Sequence, residues 1–267
     1  MNPSEIKQIL SGLGGGANKR LGQHFLVDGS ALTTIVEAAE IEKGDRVLEI
    51  GPGLGVLTSA LIEAGAHVTA VERDRRFMDF LKKKFPEYFD LIEGDASKLA
   101  WENHFKKKDW KFVSNLPYSI TSLALRKALY AEHPPTALVV LVQREVAERA
   151  IARDQKHSLL SLMVAFASHE ATIVKRVPAG AFFPPPRVES AVLRILPMSQ
   201  EERLAVWGTD PENIMALAKR GFAHPRKLLS SNLQILATKL VESGIAEKAR
   251  AEDLRPEDWA RLEQSLR

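Results

Sequence analysis

The chain has 267 residues, of which 45% are hydrophobic and 27% charged, and its formal net charge is +3. This composition predicts a globular protein with one large domain and one small domain. The absence of cysteine excludes a disulfide framework and a thiolate metal site. The first ten residues lack the apolar core of a signal peptide, and the longest apolar stretches are too short to span a bilayer. We therefore expect a cytoplasmic protein without membrane attachment or bound metal.

The first 30 residues predict a flexible flap ahead of the folded core. Residues 1–8 are expected to be loose, and residues 11–16 to form a hinge because glycines are costly to order. His24 is not expected to bind a metal, since no partner stands at ligand spacing. The first core helix is predicted at residues 31–39, where apolar residues have helical spacing.

A strand, a glycine turn and a helix follow one another in the centre of the chain. Residues 47–50 predict a short buried strand, and residues 56–64 an amphipathic helix. Between them stand three glycines with the spacing G-x-G-x-G, namely Gly51, Gly53 and Gly55. A dinucleotide site needs a glycine where this chain has Val56, and Pro52 removes a backbone donor. The turn therefore favours a nucleoside without a pyrophosphate over a nicotinamide cofactor, with a tight turn of any α/β fold as the alternative.

Two acids stand where the next two predicted strands end. Residues 67–71 are followed by Glu72, and residues 89–93 are followed after one glycine by Asp95. An acid at the tip of the second strand binds ribose hydroxyls in nucleotide-binding folds. Asp95 could accept a hydrogen bond from an adenine amino group. The alternatives are a solvated strand-end charge for Glu72 and a turn or helix-cap role for Asp95.

A fourth predicted strand, residues 111–114, ends at Asn115-Leu116-Pro117-Tyr118. The Asn115 side-chain oxygen and a backbone carbonyl of Leu116 or Pro117 could accept both hydrogens of a flat exocyclic amine. The Tyr118 ring offers a surface on which a base can stack. An Asn-initiated turn with a packed tyrosine is the alternative. Because ligands bind beyond the carboxyl ends of such strands, we expect one crevice to collect the residues at four strand ends: Gly51, Glu72, Asp95 and Asn115.

The remaining pattern completes an α/β fold. Helices are predicted at residues 75–85, 119–130, 145–153 and 159–167, and strands at 136–143, 172–177 and 190–196. Residues 101–110 are predicted as a polar connector, and Lys82, Lys83 and Lys84 as solvated charges. The order of elements predicts a Rossmann-like, seven-stranded, mostly parallel sheet with one reversed strand.

The C-terminal part, from residue 197, predicts an all-helical domain. Helices are predicted at residues 201–206, 214–222, 228–240 and 256–266. Residues 213–241 contain five basic residues and no acid. The basic residues are Lys219, Arg220, Arg226, Lys227 and Lys239. Such a stretch is typical of a phosphate-binding surface, with an ordinary solvated helix face as the alternative.

The ordered set of motifs resembles the ribosomal RNA adenine N6-dimethyltransferases, with the closest likeness to the small-subunit (16S) enzymes. The motifs are Leu21-Gly22-Gln23-His24-Phe25-Leu26, Glu49-Ile50-Gly51-Pro52-Gly53-Leu54-Gly55, Glu72, Gly94-Asp95-Ala96, Asn115-Leu116-Pro117-Tyr118, Gln143-Arg144-Glu145-Val146 and Phe182-Phe183-Pro184-Pro185-Pro186-Arg187-Val188-Glu189-Ser190-Ala191-Val192. The likeness runs over most of the chain. It implies domains at residues 1–30 (flap), 31–196 (methyltransferase) and 197–267 (helical, RNA-binding).

The resemblance also implies a cofactor, a substrate and site residues. S-Adenosyl-L-methionine would be bound by His24, Leu26, Gly51, Gly53, Glu72, Asp95 and Asn115. The catalytic group would be Asn115, Leu116, Pro117 and Tyr118, with Phe182 on the other face of the base or, alternatively, packed in the core. Lys219, Arg220, Arg226 and Lys227 would bind RNA. The implied reaction dimethylates two adjacent adenosines near the 3′ end of small-subunit ribosomal RNA during ribosome biogenesis, by a monomer acting on RNA or a small-subunit precursor.

Two departures and several alternatives accompany this resemblance. Many members carry Asn where His24 stands, and Pro225 replaces one basic position of the tail. Alternative functions are methylation of large-subunit RNA, amino methylation of DNA or of a glutamine, and RNA binding by a non-catalytic assembly factor. The intact Asn115-Leu116-Pro117-Tyr118 motif argues against the last. The target nucleotides, the assembly state of the RNA and the order of methyl additions stay open.

Overall fold

The computed structural model describes residues 1–18, 21–106, 109–152 and 156–267. The chain forms two compact units, one of residues 1–147 with 172–196 and the other of residues 148–171 with 197–267. The second unit therefore takes residues 148–171, which the sequence-based division left in the methyltransferase domain. Their helix packs on the C-terminal helices of its own unit. Apolar periodicity reveals that a helix is buried but not which neighbour buries it.

Seven strands form the central sheet: β2 (Arg46–Ile50), β3 (His67–Glu72), β4 (Phe89–Glu93), β5 (Trp110–Asn115), β6 (Ala137–Gln143), β7 (Ser168–Val177) and β9 (Ser190–Pro197). Their order across the sheet is β4-β3-β2-β5-β6-β9-β7, while β1 (Phe25–Leu26) and β8 (Phe182–Phe183) form a separate pair. Strands β2 to β6 pair in parallel, and β9 pairs antiparallel with β6. All seven side chains of β6 except the last are buried, as expected for a central strand covered on both faces. The predicted fold class is confirmed.

The helices that accompany the sheet in the first unit are short. They are α2 (Gly29–Ala38), α3 (Val56–Glu63), α4 (Met78–Lys84), α5 (Thr121–Leu129) and α6 (Arg144–Ala150), the last of which extends into the second unit. Helices α2 and α3 pack on one core with β3 and β6, around residues such as Ile35, Leu61 and Val139. This packing fixes the carboxyl end of β2 and the turn that follows it.

The N-terminus is helical, so the prediction of a loose segment at residues 1–8 is wrong. Helix α1 (Pro3–Gly12) begins after Asn2, whose side chain accepts hydrogen bonds from the main chain while Glu5 reaches back to the Asn2 nitrogen. This reciprocal capping satisfies the first turn. Ile6 and Leu10 are fully buried in a second core with Phe77.

The prediction of a polar connector at residues 101–110 is also wrong for the part that the structure describes. Trp101, Phe105 and Trp110 are buried, and the rings of Phe105 and Trp110 stack with centroids 4.3 Å apart. The charged residues between them conceal an aromatic cluster, because the interval contains too few apolar residues for a periodic signal. Residues 107 and 108 of the lysine run lie outside the described residues.

Among its described residues, the second unit has helices and the first residues of β7 as its regular elements. Its helices are α7 (Leu159–Ala167), α8 (Gln200–Trp207), α9 (Pro211–Gly221), α10 (Leu229–Leu233), α11 (Ala237–Glu242) and α12 (Pro256–Ser265). The single helix predicted at residues 228–240 is wrong, because Gln234 adopts a left-handed conformation with φ 57° and ends α10. None of the helices in the described part of the chain combines the length and apolar character that crossing a bilayer requires.

Candidate active site

One cavity in the first unit opens at the carboxyl ends of the parallel strands. The four predicted strand-end residues line it together: Gly51, Glu72, Asp95 and Asn115. His24, Leu26, Gly53, Leu116, Pro117 and Tyr118 line it as well. The sheet order explains the convergence, because β4, β3, β2 and β5 are parallel neighbours and all four strands end on the same side of the sheet. Most of the residues that the sequence assigns to the cofactor and to catalysis therefore line one cavity.

The glycine turn after β2 allows aromatic side chains to pack closely against the backbone, and it also lines the cavity. Gly53 has φ +56°, and a Cβ there would lie 3.1 Å from the ring of Phe25. Gly55 has φ +69°, and a Cβ there would lie 2.5 Å from the ring of Phe85. Only glycine adopts this backbone without strain and leaves room for both rings. The turn thus brings Gly51 and Gly53 to the cavity wall.

Glu72 anchors the turn from the neighbouring strand. Its carboxylate accepts hydrogen bonds from the backbone nitrogens of Gly53 (3.1 Å), Arg73 (2.8 Å) and Asp74 (2.7 Å). The residue is buried, and this burial raises its pKa despite the three donors. Glu72 is therefore not the solvated strand-end charge of the alternative interpretation, and its carboxylate lies at the cavity wall.

The Asp95 side chain forms a local turn and also lines the cavity. Its Oδ1 atom accepts hydrogen bonds from the Ser97 nitrogen (3.0 Å) and hydroxyl (2.7 Å). Asp95 therefore also forms a turn, as the alternative interpretation of this residue predicts. These bonds to Ser97 lower its pKa, with a smaller contribution from nearby Arg73. Asp95 Oδ2 lies 3.3 Å from Arg73 Nη1. The carboxylate is therefore ionised at neutral pH and fixed in position.

The flap segment closes one side of the cavity as a strand. Strand β1 (Phe25–Leu26) pairs antiparallel with β8 (Phe182–Phe183). His24 Nδ1 donates to the Pro184 carbonyl at 2.7 Å, because a carbonyl can only accept. The Gln23 amide donates to Asp74 at 2.8 Å. The segment that the sequence assigns to a cofactor flap is thus tied to both β8 and the end of β3.

The motif after β5 presents its polar atoms at the cavity. The Asn115 amide nitrogen donates to the His24 carbonyl at 3.3 Å, which leaves Oδ1 as the acceptor of this side chain. The Pro117 carbonyl accepts from the Ile120 nitrogen at 3.1 Å, which favours Leu116 for the second acceptor. The Tyr118 hydroxyl lies 2.7 Å from the Ser190 hydroxyl, and its ring lies nearly parallel to that of His24 with centroids 6.0 Å apart.

Phe182 does not lie where the resemblance implies. Its ring is 3% exposed, belongs to the core with Leu26 and Val177, and is not among the described residues that line the cavity. The next residue, Phe183, is half-buried and packs against the core of α1. Adjacent residues of a strand point to opposite faces, so one ring had to face inward, but sequence alone does not say which.

Two further charged residues contribute to the site, and the sequence analysis missed both roles. Glu49 lines the cavity, is 1% exposed and accepts a hydrogen bond from the Thr58 hydroxyl at 2.6 Å. Burial raises its pKa to about 8. Lys84 was assigned to solvent, but its ammonium donates to the carbonyls of Leu54 (2.9 Å) and Gly55 (3.3 Å). Burial lowers the pKa of Lys84, and the nearby charge of Glu49 opposes this shift.

The basic residues proposed for RNA lie in the second unit. Lys219 and Arg220 are exposed in the last turn of α9, and Arg226 and Lys227 are exposed in the loop that follows. Arg220 also donates to the Leu233 carbonyl at 3.1 Å. Lys239 pairs with Glu242 at 2.7 Å, so its charge is partly neutralised. In the described part of the chain, no group of three or more acidic or histidine side chains is placed to hold a metal.

Residues 15–267 match the family model described as ribosomal RNA adenine dimethylase. The chain belongs to the ribosomal RNA adenine dimethylase family. The enzyme is 37% identical to ribosomal RNA small subunit methyltransferase A of Dehalococcoides mccartyi over 270 residues, which cover 97% of this chain and 91% of that protein. It is 34% identical to the protein of the same name from Bacillus pumilus, over 99% of this chain and 96% of that one. It is therefore a ribosomal RNA adenine dimethyltransferase.

Solved structures agree with this assignment. A dimethyladenosine transferase from Plasmodium falciparum superposes on the enzyme with a TM-score of 0.76, at 25% identity, over 90% of this chain and 96% of that one. The 23S rRNA methyltransferase ErmE superposes with a TM-score of 0.69 at 24% identity, over 91% and 99% of the two chains. This second likeness shows that the two proteins share a fold.

Proposed function

We propose that the enzyme uses S-adenosyl-L-methionine to dimethylate the N6 amino groups of two adjacent adenosines near the 3′ end of small-subunit ribosomal RNA. The observation that carries this proposal is the Asn115-Leu116-Pro117-Tyr118 motif at the end of β5, in the same cavity as Glu72 and Asp95. The residues that we assign to the target amine and to the nucleoside of the cofactor thus line one cavity. The names of the relatives, ribosomal RNA small subunit methyltransferase A, support the small subunit as the source of the RNA.

The chemistry of the cavity lining suits this cofactor. Three carboxyl groups line it, those of Glu49, Glu72 and Asp95, beside apolar side chains such as Leu26 and Ala96. Burial raises the pKa of both glutamates, and a ligand that brings positive charge and hydroxyl donors would stabilise their ionised forms and lower these pKa values again. We assign the ribose hydroxyls to Glu72 and the adenine amino group to Asp95. The cofactor, when bound, supplies a methyl group on a positively charged sulfur.

The acceptors after β5 prepare the target amine. The N6 lone pair of adenine is spread into the ring, which makes the amine a poor nucleophile. Hydrogen bonds to Asn115 Oδ1 and the Leu116 carbonyl favour the pyramidal amine and stabilise the positive charge that it gains. Because the Asn115 amide nitrogen is already engaged by the His24 carbonyl, its oxygen is held in one orientation. The enzyme therefore contributes mainly alignment and electrostatic stabilisation.

The target base has to leave its stack to reach the cavity. We assign one of its faces to the Tyr118 ring, which the bond to Ser190 holds in place. A role for Phe182 on the opposite face would require its buried ring to leave the core. We assign RNA backbone contacts to four basic residues of the helical domain, residues 197–267: Lys219, Arg220, Arg226 and Lys227. We also expect the enzyme to be a monomer and to act in the cytoplasm, where its RNA substrate is found.

Two alternatives share this fold. Methylation of large-subunit RNA draws support from ErmE only at the level of the fold. A non-catalytic assembly factor would not need an Asn115 acceptor fixed at the cavity wall. Neither alternative explains the motif and the relatives' names together.

The test is transfer from labelled S-adenosyl-L-methionine to unmodified small-subunit and large-subunit RNA, each with and without ribosomal proteins. Digestion and mass spectrometry should show N6,N6-dimethyladenosine only from the small-subunit substrate. Product from large-subunit RNA alone would favour the first alternative. Cofactor and RNA binding without product from any substrate would favour the second.

A further inference from the structure

A second groove lies beside strand β8, within the same unit as the active site. Its wall includes Lys7 and Ser11 of α1, Gly16 of the glycine segment, and Phe183 and Pro184 of β8 and the turn after it. The groove contains an aromatic ring, a cation, a hydroxyl and small residues that leave the backbone accessible. None of its described lining residues is acidic.

The ring and the cation in this groove lie side by side. Lys7 Nζ lies 5.4 Å from the centroid of the Phe183 ring. Lys7 is exposed, and Phe183 is half-buried. An exposed lysine stem can move from the ring to a nearby anion at low cost, whereas the ring is fixed by its strand. The pair thus offers a flat surface and a mobile positive charge side by side.

Helix α1 and the glycine segment hold the far wall in place. Ile6 and Leu10 are the buried residues of α1, so the helix that contains Lys7 is packed against the core. The Gly15 nitrogen donates to the Leu10 carbonyl at 3.0 Å, and the Gly16 carbonyl accepts from Arg76 at 3.1 Å. The predicted hinge is therefore anchored at both sides, and the groove exists before any ligand arrives.

Short contacts connect the groove to the catalytic motif. Pro184, in the groove wall, accepts a hydrogen bond from the ring of His24. His24 in turn lines the cavity and accepts from Asn115 through its own carbonyl. One residue thus separates the groove from the amine acceptors. The groove and the cavity are therefore neighbouring openings that are joined through His24.

We propose that the groove binds the nucleotide next to the target adenine, with its base on the Phe183 ring and a phosphate beside Lys7. This inference rests on the proposed function. Aromatic stacking accepts any base and suits single-stranded RNA, while a lysine pairs with phosphate as a point charge. Holding the neighbour outside the cavity would present two adjacent adenines to Asn115 one at a time.

The test uses an RNA hairpin with two adjacent unpaired adenosines, one of which is replaced by the fluorescent base 2-aminopurine. Binding to the wild-type enzyme should quench the fluorescence through stacking. Phe183→Leu should abolish most of the quenching and weaken binding about tenfold, and Phe183→Trp should restore both. Lys7→Met should flatten the salt dependence of binding by about 0.7 in log–log slope.

Lys43→Met is the charge-matched control, because Lys43 is exposed in the turn before β2, at the opposite edge of the sheet from the cavity. Cofactor binding and thermal unfolding of each variant check the fold. Unchanged quenching in Phe183→Leu, or an equal salt slope in Lys7→Met and Lys43→Met, would overturn the groove proposal. Wild-type activity on the unsubstituted hairpin separates this result from failure of the proposed function, which would yield no dimethyladenosine at all.

Discussion

At the scale of single residues, three acids of one cavity have three different environments. Glu49 is enclosed and accepts one hydroxyl donor, Glu72 is buried but accepts three backbone donors, and Asp95 is held by Ser97 beside Arg73. Burial raises the pKa of the two glutamates, whereas the bonds to Ser97 lower that of Asp95. The charge of the site therefore depends on the surroundings of each carboxyl group rather than on the number of acids.

The raised pKa of Glu49 predicts a pH-dependent stability. The folded state holds its proton up to about pH 8, whereas the unfolded chain releases it near 4.5. Between these values the folded state binds more protons, so the free energy of unfolding falls as pH rises, by at most about 1.4 kcal/mol per unit. Glu49→Gln should flatten this slope in urea unfolding series across that range. Exposed Glu37→Gln should leave it unchanged, and parallel curves for wild type and Glu49→Gln would contradict the assignment.

The contacts of Lys84 predict an effect on cofactor binding, although this residue is not among those that line the cavity. Lys84→Met removes the donor to the Leu54 and Gly55 carbonyls and should loosen the turn that carries Gly53. We expect about tenfold weaker S-adenosyl-L-methionine binding by calorimetry, the loss typical of one charged hydrogen bond. Lys83→Met, at the exposed neighbouring position of α4, should bind as the wild type does. Equal affinities for the two variants would show that Lys84 does not support the turn.

At the scale of elements, helix α1 is the clearest departure from the sequence-based prediction, and it has a consequence for stability. Leu10 is 2% exposed and packs in the core that contains Phe77 and Leu81. Leu10→Ala should therefore lower the free energy of unfolding by about 2–5 kcal/mol, through lost transfer energy and the cavity left behind. Leu13→Ala, at the partly buried end of the helix, should cost less. A loss for Leu10→Ala within about 0.5 kcal/mol of zero, measured by urea unfolding, would mean that α1 does not dock in solution.

The five parallel strands were predictable from the sequence, whereas the short strands β1 and β8, the start of β7, several helices and the buried clusters were not. The five strands, β2 to β6, are short apolar-rich stretches bounded by turn residues, which is why their positions could be predicted to within two residues. The break at Gln234 depends on one backbone angle that no periodicity reports. The burial of Phe182 rather than Phe183 depends on the pairing of β8 with β1. Contacts between distant segments decide such cases.

At the scale of the whole molecule, the cavity and the basic residues proposed for RNA binding lie in different units. The first contains the cavity, and the second contains the basic residues assigned to the RNA backbone. Replacing Arg226 and Lys227 together with alanine should flatten the salt dependence of RNA binding by roughly 1–2 in log–log slope, at about 0.7–0.9 per lost phosphate contact. Cofactor affinity should not change. An unchanged slope would assign residues 213–241 to an ordinary solvated face, the alternative that charge alone leaves open.

The central claim is that Asn115 acts on the reacting amine rather than on RNA binding. Its oxygen is fixed at the cavity wall by the bond between its amide nitrogen and His24. The most direct measurement is single-turnover methylation of bound RNA by wild type and Asn115→Ala, with RNA and cofactor affinities measured on the same samples. The account predicts a rate lower by roughly 100-fold or more, as for the loss of one donor that stabilises developing charge, with RNA affinity nearly unchanged. A bound complex that turns over at the wild-type rate, with weakened RNA binding instead, would contradict it.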